Sequence, residues 1–397
     1  MQEKGKKILL VLTLLLLGGL LWSRAVLSIS TGLWLIAAMV ILHKDLPAVF
    51  RHPLVWWGFA PLLLLLMGIW QQPLEKSNWE LLLNYGVYPV AALSAVAISK
   101  IQFIRTMVPM WIHAAMLAML YPLGWFVLHS AEAIAQYGSG QSLPVFMGND
   151  HLRFGMFICS ALLLCLLPEN PLRYKKTALI LLTGSVLFLS VRTAWVMLFI
   201  VLGGFALYSL IGSANKTKIL LRAATLVILT AAALWFLPTA NQKIRYSLYD
   251  WEQFNSKGYD STYSDGVRRA INTAAWQQIQ NNEPAAVGWA AVPAQLQAQF
   301  AISFNGSKAP FGWPFNQWLF WWMGSGWWGM LMFTGWLFFP ACYGLKRKNP
   351  FLVLWTLAIA ASCLVECNLN YQFGAFLHAW PLALLWPYQK KPGTDFT

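Results

Sequence analysis

The chain has 397 residues, of which 58% are hydrophobic and only 11% are charged, and its formal net charge is +14. An ordinary soluble domain carries about a quarter charged residues, so this composition excludes a soluble globular protein. Apolar stretches of about 17 to 25 residues, each long enough to span a bilayer, recur along the whole sequence. The sequence therefore predicts an all-α polytopic membrane protein.

About twelve membrane-spanning helices are predicted. The first follows several lysines but lacks a small-residue cleavage site and is followed at once by another apolar run, which favours a retained helix over a signal peptide. The predicted spans are 7–22, 26–43, 53–70, 80–98, 104–128, 152–167, 176–191, 194–211, 218–237, 316–343, 350–367 and 371–388. The chain is thus expected to comprise helices 1 to 9 in residues 1–237, a loop in 238–315, and helices 10 to 12 with a cytoplasmic tail in 316–397.

The distribution of charge predicts the orientation of these spans, because cytoplasmic loops of membrane proteins collect lysine and arginine. With the N-terminus inside, the cytoplasmic segments account for the whole net charge of +14, and the cations on the outer side are balanced by acids. We therefore expect both termini to be cytoplasmic. The same distribution explains the basicity of the chain without a nucleic-acid-binding surface, so the bilayer is an expected partner and nucleic acid is not.

The longest hydrophilic segment, 238–315, lies between predicted helices 9 and 10 on the outer, periplasm-type side. Within it, GVRRAINTAAWQQIQNNEP has the apolar spacing of a helix and ends at a proline. A second stretch, VPAQLQAQFAIS, is predicted to lie along the membrane surface as a short amphipathic helix. The sequence therefore predicts a large, partly helical periplasmic loop.

Four arginines on the predicted outer side are candidate binding residues, because a charge at bilayer depth costs roughly 3 kcal/mol unless it faces protein or water. They are Arg153, Arg192, Arg268 and Arg269. Planar guanidinium groups bind phosphate through paired hydrogen bonds, which makes a phosphate-containing ligand the functional interpretation. In the structural alternative, Arg153 pairs with Asp150, Arg192 extends to the interface, and one of the two adjacent arginines points away.

Asn316 and Gln317 stand at the start of the predicted tenth span, directly after Pro314 and Phe315. The first N–H groups of a helix have no partner within the helix, so such a site can hold an anion or a developing oxyanion. The alternative is an amide cap on a helix surrounded by a belt of interfacial tryptophan.

Two further residues are candidates for proton transfer. Glu366 lies in the outer turn between the last two spans, where it is either a counter-ion for an arginine or a catalytic base. His151 stands at the start of the sixth span, and imidazole is the side chain that titrates nearest to neutral pH.

These motifs, in this order, resemble the O-antigen ligase family of bacterial inner-membrane glycosyltransferases, whose relatives include O-antigen polymerases and protein oligosaccharyltransferases. The resemblance covers most of the chain from residue 145 onward. It rests on LSVRTAWV, on GVRRAI followed by NNEPAAVGWA, on PFNQWL followed by GSGWWG, and on ECNLNYQFG. It implies transfer of a glycan from an undecaprenyl-diphosphate carrier to an acceptor hydroxyl on the periplasmic side of the inner membrane.

The resemblance also implies roles for particular residues. Arg192 and Arg268 would hold the diphosphate, and position adds Arg153 and Arg269 to them. The acceptor would be lipid A core, a growing glycan or a protein, with O-antigen ligation to lipid A core expected first. No metal or other cofactor is implied, and the five cysteines lack the spacing of a zinc site with histidine partners.

The sequence departs from the family at Phe315, where the family motif resembles Pro-His-Asn and the histidine is the proposed base. Phenylalanine can neither accept a proton nor form a hydrogen bond through its side chain. Three explanations remain open: a divergent enzyme with His151, Glu366 or Asp265 as base, a protein that only binds the lipid-linked glycan, or a substitution introduced to inactivate the enzyme. A transporter is disfavoured, because the membrane-embedded cations lie on the outer side only.

Overall fold

A computed structural model describes residues 2–69, 75–212, 237–282 and 286–387, together with scattered positions between 217 and 236. The predicted ninth span, 218–237, falls mostly outside these residues, as does the predicted tail from 388 onward. No β-strand occurs in the described part, and the chain is an all-helical protein. The predicted all-α fold class is therefore confirmed.

The first half of the chain forms a series of helices, several of which contain proline. They are α1 (Gln2–Trp22), α2 (Arg24–Leu42), α3 (Leu46–Val49), α4 (Pro53–Ile69), α5 (Lys76–Tyr85), α6 (Val87–Lys100), α7 (Ile104–Ala118), α8 (Leu120–Leu128), α9 (Ser130–Gly138) and α10 (Phe146–Asn149). Ser23 separates α1 from α2, and its hydroxyl caps α2 by accepting a hydrogen bond from the Val26 N–H.

The second half contains the helices that build the candidate site. They are α11 (His151–Cys165), α12 (Lys175–Leu189), α13 (Arg192–Gly212), α14 (Pro238–Lys257), α15 (Ser264–Asn282), α16 (Val292–Ser303), α17 (Gln317–Lys346), α18 (Pro350–Cys363), a 3-10 helix (Asn368–Asn370) and α19 (Gln372–Leu385). Helix α17 is kinked at Gly326, whose φ of 73° and ψ of 178° are backbone angles that favour glycine.

Five helical stretches in the described part are long and apolar enough to cross a membrane. They are Gly5–Trp22, Arg24–Leu42, Asn78–Lys100, Ile104–Leu128 and Arg192–Ile211. Shorter apolar helices include Pro53–Ile69, His151–Cys165 and Pro350–Cys363. Their length and composition are those of a membrane protein.

The centre of the helical bundle is formed by α11 and α19, which are apolar on all sides and almost entirely buried. Aromatic side chains fill the space between α19 and its neighbours. Trp57 on α4 and Trp336 on α17 are stacked 5.7 Å apart, and each indole N–H donates to the other residue's backbone carbonyl. His378 on α19 is fully buried and shares a hydrogen bond of 2.9 Å with the Tyr88 hydroxyl.

The described residues of the polar segment 238–315 form three helices, one more than the sequence predicted. The two predicted stretches correspond to α15 and α16, whereas α14 was not predicted. This segment is anchored to the bundle by Trp289, whose indole N–H donates to the Leu65 carbonyl at 2.7 Å. The indole fits because positions 68 and 324 are glycine, and a Cβ at either would overlap it.

Candidate functional site

The N-terminus of α15 is fixed by a buried carboxylate on α14. Asp250 is fully buried, and its two oxygens accept hydrogen bonds from the backbone N–H groups of Asp265 at 2.7 Å and Gly266 at 3.0 Å. A carboxylate at this position satisfies N–H groups that have no partner within the helix. The cap fixes the start of α15, where spacings of three and four residues place Asp265, Arg268 and Asn272 on one face.

Replacing Asp250 by alanine is expected to destabilise the protein by about 1–2 kcal/mol, because two buried N–H groups lose their acceptor. Thermal unfolding of the purified protein measures this loss. The matched control is Asp260→Ala, because Asp260 is exposed and its carboxylate accepts hydrogen bonds from the N–H and hydroxyl of Thr262 rather than from a buried helix start. An equal effect of the two substitutions would contradict the capping role.

Arg192 begins α13 and forms a bidentate ion pair with Asp265 on α15. Its Nη2 donates to Asp265 Oδ1 at 2.6 Å, and its Nη1 donates to Asp265 Oδ2 and to the Ser247 hydroxyl at 2.8 Å. The Arg192 side chain is nevertheless 35% exposed and the Asp265 side chain 25%. The predicted phosphate ligand Arg192 is therefore already held by an acid, which sets the direction of its guanidinium group and occupies two of its donors.

The ion pair between Arg192 and Asp265 makes stability dependent on pH in the acidic range. Burial raises the pKa of Asp265, but the hydrogen bonds and positive charge of Arg192 outweigh burial, so the pKa lies below its usual value. A carboxyl group whose folded pKa is lowered contributes stability above its unfolded pKa of about 3.9 and loses it as pH falls through the folded pKa. The stability difference between wild type and Asp265→Asn is therefore expected to be constant near neutral pH and to shrink below about pH 4.

Thermal unfolding from neutral to acidic pH tests this expectation, with Glu252→Gln, at an exposed position of α14, as the control. A difference that stays the same at the lowest pH would show that the carboxylate charge of Asp265 does not stabilise the fold.

Phe315 lies beside Arg268 and is held by its backbone. The Arg268 guanidinium carbon is 5.0 Å from the centre of the Phe315 ring, which is a cation–π contact. Asn272 accepts a hydrogen bond from the Phe315 N–H at 2.7 Å and donates to the Phe315 carbonyl at 3.4 Å. Both bonds go to the main chain and are independent of the side chain, while the ring itself is buried against Phe311 and Arg268.

Arg268 and Phe315 separate two cavities. The first, here called the arginine cavity, has a volume of about 320 Å³ and is lined by Arg192, Thr193, Val196, Asp265, Arg268, Arg269, Asn272, Phe315, Ala361, Leu364 and Val365. The second, here called the aromatic cavity, has a volume of about 780 Å³ and is lined by Arg153, Ser261, Thr262, Ser264, Val267, Arg268, Pro310, Phe311, Gly312, Trp313, Phe315, Glu366 and Tyr371. Three of the four predicted arginines thus meet at one cavity.

The arginine cavity joins a cationic side to an apolar rim. Arg269 is exposed, stacks over Trp251 at 4.5 Å and donates to the Asn255 side chain at 2.9 Å. The rim consists of three exposed aliphatic residues, Val196 at 47%, Leu364 at 56% and Val365 at 41% exposure. A ligand that combines an anionic group with a hydrocarbon chain matches this surface.

Arg153 and Glu366 belong to the aromatic cavity. Arg153 is 8% exposed at its side chain, pairs with Asp150 at 3.3 Å and lies over the Tyr371 ring at 4.2 Å. Arg153 therefore pairs with Asp150, as the structural alternative in the sequence analysis predicted. Glu366 is buried, and burial raises its pKa even though Arg153 and Arg268 act in the opposite direction.

Asn316 and Gln317 have structural partners. Asn316 caps α17 by accepting from the N–H groups of Trp318 at 2.9 Å and Leu319 at 3.2 Å, so these donors are not open to an anion. Gln317 is fully buried and ties the 3-10 helix in place by donating to Asn370 at 2.7 Å and accepting from the Leu369 N–H at 3.1 Å. Both amides thus have structural roles, and neither lines one of the two cavities.

His151 is partly buried at the start of α11, and it is not among the described residues that line either cavity. Among the residues whose side chains hold the site in place, Asp250, Ser247 and Asn272 were not predicted. Only Asn272 had a signal in the sequence, since it follows Arg268 by one helical turn. Asp250 and Ser247 lie on a helix that the sequence did not reveal.

Comparison with protein-family models gives no match for this sequence, and a search of curated proteins gives none either. The candidate site is therefore interpreted from its own geometry.

Proposed function

We propose that this chain is a bacterial inner-membrane glycosyltransferase that moves a glycan from an undecaprenyl-diphosphate carrier to an acceptor hydroxyl on the periplasmic side. The observation that carries this proposal is the arginine cavity, in which Arg192, Arg268 and Arg269 lie next to an exposed aliphatic rim. A polyprenyl diphosphate has the same two parts, an anionic head and a hydrocarbon tail. The proposal includes the twelve-span topology, with segment 238–315 on the periplasmic side.

The chemistry of transfer suits fixed cations. As the bond between the sugar and the diphosphate breaks, negative charge grows on the leaving group, and positioned guanidinium groups stabilise that charge. Arg268 has no carboxylate partner within 4 Å among the described residues, so its charge is more available than that of Arg192. Asp265 orients Arg192, and the ligand would use the remaining donors of that guanidinium group.

Among the three possible bases, Glu366 fits best. It lines the aromatic cavity together with Phe315 and Arg268, whereas His151 lines neither cavity and Asp265 is bound to Arg192. A raised pKa brings a carboxylate nearer to the operating pH, which is where a general base is most effective. Glu366 is therefore the proposed acceptor of the hydroxyl proton.

The acceptor distinguishes the related activities. Lipid A core would make the chain an O-antigen ligase, which we place first, while a growing glycan would make it a polymerase and a protein hydroxyl an oligosaccharyltransferase. A second candidate function, binding of the lipid-linked glycan without transfer, is favoured by Phe315, whose ring occupies the space beside Arg268.

The test is incubation of the purified protein with undecaprenyl-diphosphate-linked glycan and lipid A core, followed by detection of free carrier diphosphate and of extended acceptor. Release that requires the acceptor supports transfer, and loss of that release in Glu366→Gln supports the assigned base. Saturable binding of the donor without release supports the binding function. Absence of both binding and release would overturn the proposal.

A further inference from the structure

The aromatic cavity has a lining unlike that of the arginine cavity. Four aromatic rings surround it, those of Phe311, Trp313, Phe315 and Tyr371, and Trp313 lies 5.7 Å from Tyr371 at an angle of 58°. Hydroxyl groups at the first residue of α15 and just before it line another part of the wall; they belong to Ser261, Thr262 and Ser264. Its volume of about 780 Å³ falls in the usual range of small-molecule sites, about 300–1,000 Å³.

Several polar groups in this lining have unused hydrogen-bonding capacity. Within the described part of the chain, the Trp313 indole N–H and the hydroxyls of Tyr371, Ser261 and Ser264 donate to no protein group. Each of these four side chains is only partly buried or exposed. They can therefore reach a ligand without breaking an existing bond.

The charges in the lining are close to balance. Arg153 is paired with Asp150, and the remaining cation, Arg268, shares the cavity with the carboxylate of Glu366. A strongly anionic ligand would therefore gain less here than in the arginine cavity, where Arg268 and Arg269 face a single paired acid. The fitting ligand is neutral, carries many hydroxyl groups and has an apolar face that can stack on an aromatic ring.

We infer that the aromatic cavity is a carbohydrate-binding subsite for neutral sugar residues. The Phe315 ring and Arg268 separate it from the arginine cavity, where the proposed diphosphate binds. This inference rests on the proposed function for its biological meaning, but the binding of sugar does not require transfer. Trp313 and Tyr371 contact the sugar face, and the hydroxyls of Ser261 and Ser264 bind sugar oxygens.

The experiment uses the full chain in nanodiscs of unglycosylated phospholipid, because sugar-based detergents would compete for the subsite. Saturation-transfer NMR measures binding of maltotriose, lactose and chitotriose, none of which carries a lipid or a phosphate. We expect saturable binding of at least one probe. Binding should weaken by about tenfold or more in Trp313→Ala, which loses the stacking surface, and in Ser261→Phe, which fills the cavity from an exposed position.

Trp276→Ala is the matched control, because Trp276 is 43% exposed on α15 and belongs to the lining of neither cavity. Sugar binding should be unchanged in this variant. Undecaprenyl diphosphate without a sugar is titrated into the same samples, and its binding should be unchanged in Trp313→Ala and Ser261→Phe. This retained binding also shows that the two variants are folded.

The outcomes separate the two proposals. If none of the three sugars binds, or if Trp313→Ala and Ser261→Phe both keep full sugar binding, the carbohydrate subsite is overturned while binding of undecaprenyl diphosphate still supports the arginine cavity. If sugar binds as expected and undecaprenyl diphosphate does not, the subsite stands and the proposed donor is wrong.

Discussion

Replacement of Arg268 by alanine is expected to lower glycan transfer by about 10² to 10³, the usual effect of removing one group that stabilises developing negative charge. Arg268 is the cation that borders both cavities, and its main contact is the Phe315 ring rather than an acid. Its charge is therefore available to the departing diphosphate. The measurement is the rate of acceptor-dependent release of carrier diphosphate.

Two variants control this prediction. Arg268→Lys keeps the charge but loses the planar pair of donors, so it should recover only part of the rate. Arg245→Ala removes an exposed arginine of α14 that lines neither cavity, and it should leave the rate unchanged. Full activity in Arg268→Ala would remove the donor site as proposed.

A test of Arg192 needs a different set of variants, because Arg192 is the ion-pair partner of Asp265. Arg192→Ala would leave a partly buried carboxylate without its partner, and the resulting loss of stability would be mixed with any loss of binding. The double variant Arg192→Ala with Asp265→Ala removes both charges together. Comparison of the single and double variants therefore separates the role of Arg192 in stability from its role in donor binding.

The sequence predicted the helical class of the fold because apolar runs of spanning length are a local signal. It also pointed to the three arginines that meet at the arginine cavity, since charges near apolar helices are rare and costly, but it grouped Arg153 with them. Their partners could not be predicted in the same way. Arg192 and Asp265 are 73 positions apart in the chain, and only the packing of α13 against the polar segment brings them together.

The two amides of the PFNQWL stretch show the same limit. A helix start with two amides fits an anion site and a cap equally well in sequence, and the choice depends on where the amide oxygen points. In the structure Asn316 turns its oxygen back onto its own helix, and Gln317 turns inward to Asn370. Neither amide lines a cavity, and Phe315 is the residue of this stretch that borders both.

Replacing Phe315 by histidine is expected to raise transfer most strongly in the Glu366→Gln protein, by about 10² to 10⁴, the usual contribution of a general base, because that variant lacks the proposed base. The Asn272 side chain holds residue 315 through its N–H and carbonyl, and both of these bonds remain possible with histidine at this position. The imidazole would then border both the arginine cavity and the aromatic cavity, beside Glu366 and Arg268. It would lie between the leaving diphosphate and the incoming hydroxyl.

The gain should depend on pH in a defined direction. Histidine accepts a proton only in its neutral form, and the ordinary pKa of its side chain is about 6.5. The gain should therefore be present above that pH and disappear below it. The positive charge of Arg268 would favour the neutral imidazole and extend the gain to lower pH. Phe311→His is the matched control, because Phe311 is a neighbouring aromatic residue that lines only the aromatic cavity. An equal gain from Phe311→His, or no gain from Phe315→His in protein that still binds the donor, would show that position 315 is not where the acceptor proton leaves.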